Sequence, residues 1–197
     1  MHRRQWLGIA GLAAGVWLGR GLIQRFRRLS PAWLRPPGAL PEPDFSATCI
    51  RCGQCVEACP FDTLYLAGAE AGLDYRTPTL DTRKNPCWLC KGYEELLCIE
   101  ACPTGSLAPV ADVPSIRMGI AEIDRDLCLA WNQVSCRACW HACPLPDRAI
   151  VLDERVRPII DPKQCIGCGL CDYPCLTEPT SVWIWPEQEV TDLRADL

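Results

Sequence analysis

Sixteen cysteines are the residues best suited to chemistry in this chain of 197 residues. They fall into four groups of four, and none is left over. The groups are Cys49, Cys52, Cys55 and Cys59; Cys87, Cys90, Cys98 and Cys102; Cys128, Cys136, Cys139 and Cys143; and Cys165, Cys168, Cys171 and Cys175. Groups one and four share the compact spacing C-x2-C-x2-C-x3-C, whereas groups two and three each contain one gap of seven residues. Proline follows the last cysteine of the first three groups, and leucine follows that of the fourth.

Three kinds of site use sets of cysteines, and the spacing favours one of them. A disulfide framework suits an exported chain with an even cysteine count, and zinc also binds sets of four cysteines. Zinc sites usually take two C-x2-C pairs far apart, and disulfides have no reason to repeat one spacing. The compact run instead wraps three thiolates around one corner of a cubane, and a fourth cysteine followed by proline completes the bacterial ferredoxin run. The sequence therefore predicts four 4Fe–4S clusters, with all sixteen cysteines as iron ligands.

The first 28 residues are typical of an export signal. Arg3 and Arg4 precede an apolar, glycine- and alanine-rich stretch that is short for a membrane span. The paired arginines indicate a twin-arginine signal, and an amphipathic anchor helix is the alternative. No clear Ala-x-Ala cleavage site follows, so a membrane tether through residues 7–26 is also open. Because clusters are built in the cytoplasm, and ligand thiols oxidise when exported unfolded, we expect a periplasmic protein that is exported folded, with anchoring to the inner membrane left open.

The charge distribution excludes some partners. The first 35 residues contain seven arginines and no acid, and the remainder carries 13 basic and 24 acidic residues, a net charge of −11. Such an acidic body argues against nucleic acid and is compatible with docking onto basic protein surfaces. The chain has no glycine-rich dinucleotide loop, no Ser-His-Asp arrangement and no spare cysteine for a nucleophile. We therefore expect an electron carrier and not an enzyme.

The cysteine groups form an internal repeat, since the first cysteines of successive groups are 38, 41 and 37 residues apart. Short β-like stretches follow all four groups and precede the last three, and the x3-C segments favour a helical turn. The expected strands are in residues 63–66, 78–81, 106–108, 121–124, 149–152, 158–161 and 181–184. Two groups make one ferredoxin-like unit. The predicted fold is therefore α+β, with two two-cluster modules of short strands and helical turns behind a signal or anchor helix.

Two regions are expected along the chain. Residues 1–40 hold the twin-arginine-type signal or anchor and a proline-rich linker, which we expect to be stiff and extended. Residues 41–190 form the polyferredoxin domain. Its ferredoxin-type segments are expected at residues 40–69, 78–111, 119–154 and 156–187.

Groups two and three carry more specific features. They are the gaps of seven residues, the run Cys98-Ile99-Glu100-Ala101-Cys102-Pro103-Thr104-Gly105-Ser106-Leu107, and Arg117-Met118-Gly119-Ile120-Ala121. With them, about residues 45–185 and the signal resemble the MauM/NapG family of periplasmic ferredoxin-type proteins. The resemblance implies a polyferredoxin that receives electrons from a membrane-bound, quinol-oxidising ferredoxin-type protein. It also implies a periplasmic cytochrome or reductase as acceptor, in a chain of the nitrate-reduction or methylamine-utilisation type.

Two other functions remain open at this point. One is the electron-transfer subunit of a molybdenum oxidoreductase, which has four similar cysteine groups. The other is a maturation factor for a periplasmic redox enzyme, which would donate electrons during cofactor insertion.

The pairing of the groups is a separate question, because the fourth cysteine of a ferredoxin run binds the other cluster of its module. Loop lengths do not decide it, since 27, 25 and 21 residues separate successive groups. The mirrored gaps of groups two and three, and the nesting in molybdenum-enzyme subunits that the chain resembles more loosely, favour nested pairing. Nesting predicts that Cys175 joins Cys49, Cys52 and Cys55, whereas sequential pairing would place Cys102 there.

Overall fold

The computed structural model describes residues 33–190, so the predicted signal or anchor segment lies outside the described residues. Short helical turns and strands alternate along this part of the chain, as the β-like stretches and x3-C turns predict. The α-helices are Asp44–Thr48 (α1), Gln54–Glu57 (α2), Leu97–Glu100 (α3) and Ala138–Ala142 (α4). The strands are Leu64–Leu66 (β1), Pro78–Leu80 (β2), Gly119–Ile123 (β3), Ile150–Leu152 (β4), Pro158–Ile160 (β5) and Val182–Pro186 (β6), and the 3-10 turns are Ala69–Asp74 and Val113–Ser115. Within residues 33–190 no helix is long and apolar enough to cross a membrane.

Two antiparallel strand pairs join neighbouring cysteine groups. The pair β1–β2 lies between groups one and two, with Leu64 opposite Leu80. The pair β4–β5 occupies the same place between groups three and four, with Ile150 opposite Ile160. Each pair is short, because three residues of β-branched or aliphatic character are followed at once by turn residues. The local pairing therefore ties group one to group two and group three to group four.

A second strand pair closes each half of the molecule. In the C-terminal half, β3 and β6 pair antiparallel, from Gly119 opposite Pro186 to Ile123 opposite Val182. In the N-terminal half the expected strand at residues 106–108 makes one bridge, Ala39 to Leu107, in place of a full ladder. We call residues 33–112 module one and residues 119–190 module two. The predicted α+β architecture of two ferredoxin-like halves agrees with this arrangement.

The first described residues pack onto module one. Leu34 and Arg35 are buried, and the Arg35 guanidinium donates to Thr77 Oγ1 and to Asp74 Oδ1, both at 2.6 Å. The Thr79 hydroxyl donates to the Leu34 carbonyl oxygen at 2.9 Å. We call residues 33–40 the N-terminal strap. This part of the expected linker is thus held in the folded unit, which begins before residue 41, where the sequence placed its start.

The two modules contact each other through backbone and side chains. The Cys87 amide donates to the carbonyl oxygen of Cys168 at 3.0 Å. The Met118 amide, in the segment that connects the modules, donates to the carbonyl oxygen of Ile166 at the same distance. Arg83 of module one donates to the carbonyl oxygens of two module-two residues, which are Asp172 and Cys175, each at 2.9 Å. The core between these contacts is built from aliphatic side chains and from the cysteines themselves.

Candidate cluster-binding sites

The cysteine loops present their thiols through short helical turns. The third cysteine of each of the first three groups lies inside such a turn: Cys55 in α2, Cys98 in α3 and Cys139 in α4. Gly53, with a φ of 80°, starts α2, and its left-handed conformation lets the chain reverse between the second and third cysteines. The fourth cysteine of each of these groups follows the end of its turn by one or two residues.

Cys102 completes the thiols of group one. Cys49, Cys52, Cys55 and Cys102 line one cavity together. Burial, followed in decreasing order by the neighbouring Cys49, Cys52 and Cys102, raises the pKa of the Cys55 thiol to about 11. Four thiols from two cysteine groups therefore face one another, and they come from groups one and two.

The reciprocal exchange brings Cys59 to group two. Burial raises the pKa of the Cys87 thiol to about 12, with Cys90 and Cys59 adding to the rise. The Cys98 pKa is raised well above its usual value by burial and then by Cys87, Cys90, Cys55 and Cys59. Both sets of module one are thus mixed in the way a two-cluster ferredoxin mixes them.

Module two repeats the exchange. Cys143 lines a second cavity with Cys165, Cys168 and Cys171. Cys168 and Cys171 are both buried, and Cys143 and Cys165 are among the neighbours that raise their pKa values, after burial itself. Group three therefore gives its last cysteine to group four.

The remaining set contains Cys128, Cys136, Cys139 and Cys175. Burial raises the pKa of Cys139 to about 12, and Cys128 and Cys136 add to the rise. Cys175 belongs to this set by elimination and through Ser181, whose hydroxyl lies 3.3 Å from the Cys175 sulfur. The Asp124 amide, just before group three, donates to the Ser181 carbonyl oxygen at 2.8 Å.

We name the four sets by their order in the molecule. They are site A (Cys49, Cys52, Cys55, Cys102), site B (Cys59, Cys87, Cys90, Cys98), site C (Cys143, Cys165, Cys168, Cys171) and site D (Cys128, Cys136, Cys139, Cys175). The nested pairing expected from the mirrored gaps is wrong, because Cys102, not Cys175, lies with group one. The physical reason is the strand pairing, since β1–β2 and β4–β5 fold neighbouring groups onto each other.

The sites follow one another in a single order. Cys55 of site A is close enough to raise the pKa of Cys98 in site B. Cys87 of site B acts in the same way on Cys168 of site C. Cys139 of site D acts on Cys171 of site C. The order is therefore A, B, C, D, with B and C meeting where the modules touch.

Sites A and C differ in exposure, although groups one and four share the same spacing. Ile50, between the first two cysteines of site A, is 64% exposed, whereas Ile166, at the same position of the identically spaced group four, is 2% exposed. Cys52 of site A is exposed, and Val134, in the loop of site D, is 51% exposed. The three group-four cysteines of site C are all buried. Site A is thus more accessible to solvent than site C.

Hydroxyl groups contact one sulfur in each end site. The Ser106 hydroxyl lies 3.2 Å from the Cys102 sulfur. Burial opposes ionisation of Cys102, but Ser106, the Leu107 and Thr104 amides and the Thr104 hydroxyl outweigh it and lower the pKa to about 7. Cys175 shows the same balance, since Ser181 and Thr177 outweigh burial and lower its pKa to about 7.

Sequence reasoning missed these hydroxyl groups. The signal that could have found them is a serine or threonine shortly after the fourth cysteine of groups two and four, directly before the following extended segment. Ser106 and Ser181 are buried, at 3% and 2% exposure.

The donor set fits iron–sulfur clusters. All sixteen cysteines are free of disulfide bonds. Each site combines the first three cysteines of one group with the last cysteine of the neighbouring group. Across residues 33–190, no three metal-ligating side chains converge as they would around a single ion. A 4Fe–4S cluster makes a different demand, because each thiolate binds a different iron. Apolar residues such as Leu107 and Ile166 cover the cavities of sites A and C, as cluster sites require.

Comparison with known proteins supports the same conclusion. A family model described as a 4Fe-4S dicluster domain matches residues 48–106, which contain groups one and two, the two groups of module one. Over 189 residues the chain is 38% identical to the ferredoxin-type protein NapG of Escherichia coli (strain K12), covering 90% of this chain and 80% of the relative.

A second relative is a methylamine utilization ferredoxin-type protein MauM from Methylorubrum extorquens. It is 38% identical over 204 residues, covering 94% of this chain and 90% of the relative. The ferredoxin-type protein NapF of E. coli is more distant, with 27% identity over 161 residues. The resemblance inferred from the cysteine spacings and from Arg117-Met118-Gly119 is confirmed. The chain belongs to the NapG/MauM family of ferredoxin-type proteins and is an electron-transfer protein, a carrier and not an enzyme.

Proposed function

We propose that this chain carries four 4Fe–4S clusters, one in each of sites A to D, and conducts electrons along that series. The sixteen cysteines serve as the iron ligands. The observation that carries the proposal is the meeting of cysteines from two groups at sites A, B and C, which leaves Cys175 to complete site D. A cluster supplies a group that gains and loses one electron without a substrate pocket.

The chain's residues divide the remaining tasks. Short helical turns hold the third cysteine of groups one to three, and the exchanged fourth cysteine ties the two sites of a module together. Direct contact between the Cys87 and Cys168 loops keeps sites B and C adjacent across the module boundary. Electrons would enter and leave at sites A and D, because Ile50 and Val134 expose those loops to partners.

The proposed setting is the periplasm. Arg3 and Arg4 support export of the folded protein by the twin-arginine route, with an inner-membrane tether through residues 7–26 as the alternative to cleavage. The proposed donor is a membrane-bound quinol-oxidising ferredoxin-type protein, and the proposed acceptor is a periplasmic cytochrome or reductase. The kinship with NapG and MauM supports chains of the nitrate-reduction or methylamine-utilisation type. The net charge of −11 beyond residue 35 favours partners with basic docking faces.

Anaerobic purification tests the cluster content. Iron and acid-labile sulfide are measured per chain, and the reduced protein is examined by electron paramagnetic resonance (EPR). We expect about sixteen iron atoms and sixteen sulfides per chain, from four clusters of four each. Bound zinc in place of iron after anaerobic preparation would contradict the proposal, and so would a chain whose cysteines are mainly in disulfides.

A second experiment distinguishes an electron carrier from the two alternatives, a maturation factor and a subunit of a molybdenum oxidoreductase. The rate of a partner reductase is compared between cells with and without this chain, and the reductase is then assayed with an artificial electron donor. If the chain is an electron carrier, its loss lowers the rate with the natural quinol donor but leaves the reductase active with the artificial donor. An inactive, cofactor-free reductase would indicate a maturation factor. A stable stoichiometric complex with a molybdenum enzyme on purification would indicate a subunit.

A further inference from the structure

Buried serines single out the two end sites of the series. The residue directly before the extended segment that follows each cysteine group is Thr63, Ser106, Ala149 or Ser181. Two of the four are serines, and both serine hydroxyls contact the sulfur of an exchanged cysteine, Cys102 in site A and Cys175 in site D. This position therefore holds a serine beside the exchanged cysteines of sites A and D, and Thr63 or Ala149 beside those of sites B and C.

The inner sites have no such contact at the equivalent positions. The Thr63 hydroxyl donates to the Pro86 carbonyl oxygen at 2.9 Å, so it is engaged with the backbone. Ala149 has no hydroxyl, although it lines the same cavity as Cys143 of site C. Cys59 and Cys143, the exchanged cysteines of sites B and C, therefore lack the serine that Cys102 and Cys175 have.

The strap holds one serine in place. The Leu40 amide donates to the Ser106 carbonyl oxygen at 3.0 Å, and the bridge between Ala39 and Leu107 fixes the next residue. The Thr104 hydroxyl donates to the Ser106 oxygen at 3.4 Å. In module two, the Asp124 amide fixes the Ser181 carbonyl in the same manner. Both hydroxyls are therefore held against their sulfurs by backbone contacts.

The direction of these hydrogen bonds follows from the chemistry of the ligand. A cysteine that binds iron is a thiolate with no proton to give, so the serine must donate. A hydrogen bond donated to a charged acceptor grows stronger as the acceptor becomes more negative. Reduction adds one negative charge to a site, so the reduced form gains more from the serine than the oxidised form does. Hydrogen bonds to the sulfurs are among the factors that set cluster potentials.

We propose that the hydroxyls of Ser106 and Ser181 raise the reduction potentials of sites A and D above the values that these two sites would have without them. The inference rests on the proposed function, since it requires a cluster in each site. The two hydroxyls would thus stabilise an added electron at each end of the series. Thr177, 3.3 Å from the Cys175 sulfur, adds a second donor at site D.

Solvent exposure also affects cluster potentials, so the test removes the hydroxyl while leaving the exposure of the site unchanged. The full-length protein is purified anaerobically, its iron content is measured, and its four potentials are followed by EPR-monitored redox titration. In S106A and in S181A we expect one potential to fall, with four clusters retained. Loss of one hydrogen bond of this kind should change the oxidised-to-reduced ratio roughly tenfold, which corresponds to about 59 mV for one electron.

Ala149→Ser supplies the opposite change at a buried site. It places a hydroxyl at the position equivalent to Ser181, and we expect the potential of site C to rise. Thr63→Val is the matched control, because its hydroxyl serves Pro86 and not a sulfur. We expect the four potentials of this variant to match those of the natural chain.

The possible outcomes distinguish failure of the proposed function from failure of the inference about the serines. A natural chain with fewer than four clusters would contradict the proposed function. Four clusters together with unchanged potentials in S106A and S181A would overturn the inference alone. Equal shifts in T63V would also overturn it, because any buried hydroxyl would then have the same effect. If S106A fails to hold its clusters, S181A and A149S decide the question in the same way.

Discussion

The amide of Cys87 donates a hydrogen bond of 3.0 Å to the carbonyl oxygen of Cys168. One residue is a ligand candidate of site B in module one, and the other belongs to site C in module two. Because both partners are backbone groups, the contact does not depend on any side chain. The bond makes the boundary between the modules the place where the two inner sites meet.

Exchange of the fourth cysteine can be tested by spectral comparison. Cys102→Ser should remove or alter the same EPR signal as Cys52→Ser, because both belong to site A. Cys136→Ser, in site D, should affect a different signal. A match between the Cys102 and Cys136 variants would support nested pairing and contradict the assignment made here.

Gly169 is expected to be intolerant of a side chain. Its φ is +80°, and a Cβ at this position would overlap Thr82 of the other module. We expect Gly169→Ala to lower the free energy of unfolding by about 3 kcal/mol, from backbone strain and overpacking together. Gly105→Ala is the control, because Gly105 also has a positive φ, of +70°, but nothing lies within 4 Å of its Cβ. Equal losses in urea denaturation of the two variants would show that the contact with Thr82 is unimportant.

Arg83 should be a principal side-chain tie between the modules. Its guanidinium donates to the carbonyl oxygens of Asp172 and Cys175, each at 2.9 Å. We expect Arg83→Met to lower the free energy of unfolding by about 2 kcal/mol, the usual size for hydrogen bonds to a charged group. Hydrogen exchange of the Cys87 amide should become faster, because the module boundary opens more often.

Lys84→Met provides the control for Arg83. Lys84 is the next residue, but its side chain is 84% exposed and its ion pair is with Asp81 in the same loop. Exposed pairs of this kind contribute little to stability. A stability loss in this variant as large as that in Arg83→Met would contradict the role given to Arg83.

Ile50 and Ile166 form a matched pair for the docking surface. Ile50→Glu should change stability by no more than about 0.5 kcal/mol, because the side chain is already in solvent. It should slow electron exchange with a protein partner at site A while leaving reduction by dithionite unchanged. Ile166→Glu buries a charge and should cost the protein its folded state or its site C cluster. An unchanged partner rate in Ile50→Glu, measured by stopped-flow absorbance, would exclude this face as the docking surface.

The proposed export signal, which lies outside the described residues, can be tested by substitution. Replacing Arg3 and Arg4 with lysine should leave the protein in the cytoplasm, since the twin-arginine route reads the arginine pair. Lysine at Arg27 and Arg28 is the control and keeps the same net charge. Fractionation followed by immunoblotting measures the outcome, and unchanged export of the first variant would count against this route.

Much of the local structure could be predicted from the sequence. The strands before groups two, three and four appear as β2, β3 and β5, because each is a short β-branched or aliphatic run followed by a turn. The segment at residues 106–108 is the exception. It meets the N-terminal strap, whose packing on module one depends on Arg35 and on distant residues such as Thr77. A local sequence pattern cannot predict a contact between residues that are so far apart in the chain.

The pairing of the cysteine groups and the exposure of each site were harder to predict from the sequence. The mirrored gaps of groups two and three are a property of spacing, whereas pairing is decided by which strands meet in space. Likewise, Ile50 and Ile166 occupy the same position in identical spacings, yet Ile50 is exposed and Ile166 is buried. Loop spacing specifies what a site binds, but packing of neighbouring chain segments determines what the site faces.

The exchanged cysteines have a consequence for damage and repair. Under the proposed ligand assignment, each site of a module is held partly by a residue whose neighbours in sequence hold the other site. Oxidative loss of one cluster therefore frees a loop that also anchors its companion, so the two are expected to fail as a pair. The strand pairs β1–β2 and β4–β5 stay within their own modules, so the failure need not spread across the Cys87–Cys168 contact. The unit of repair in this protein is the module. An oxidant that reaches the exposed Cys52 would therefore disable both sites of module one at once.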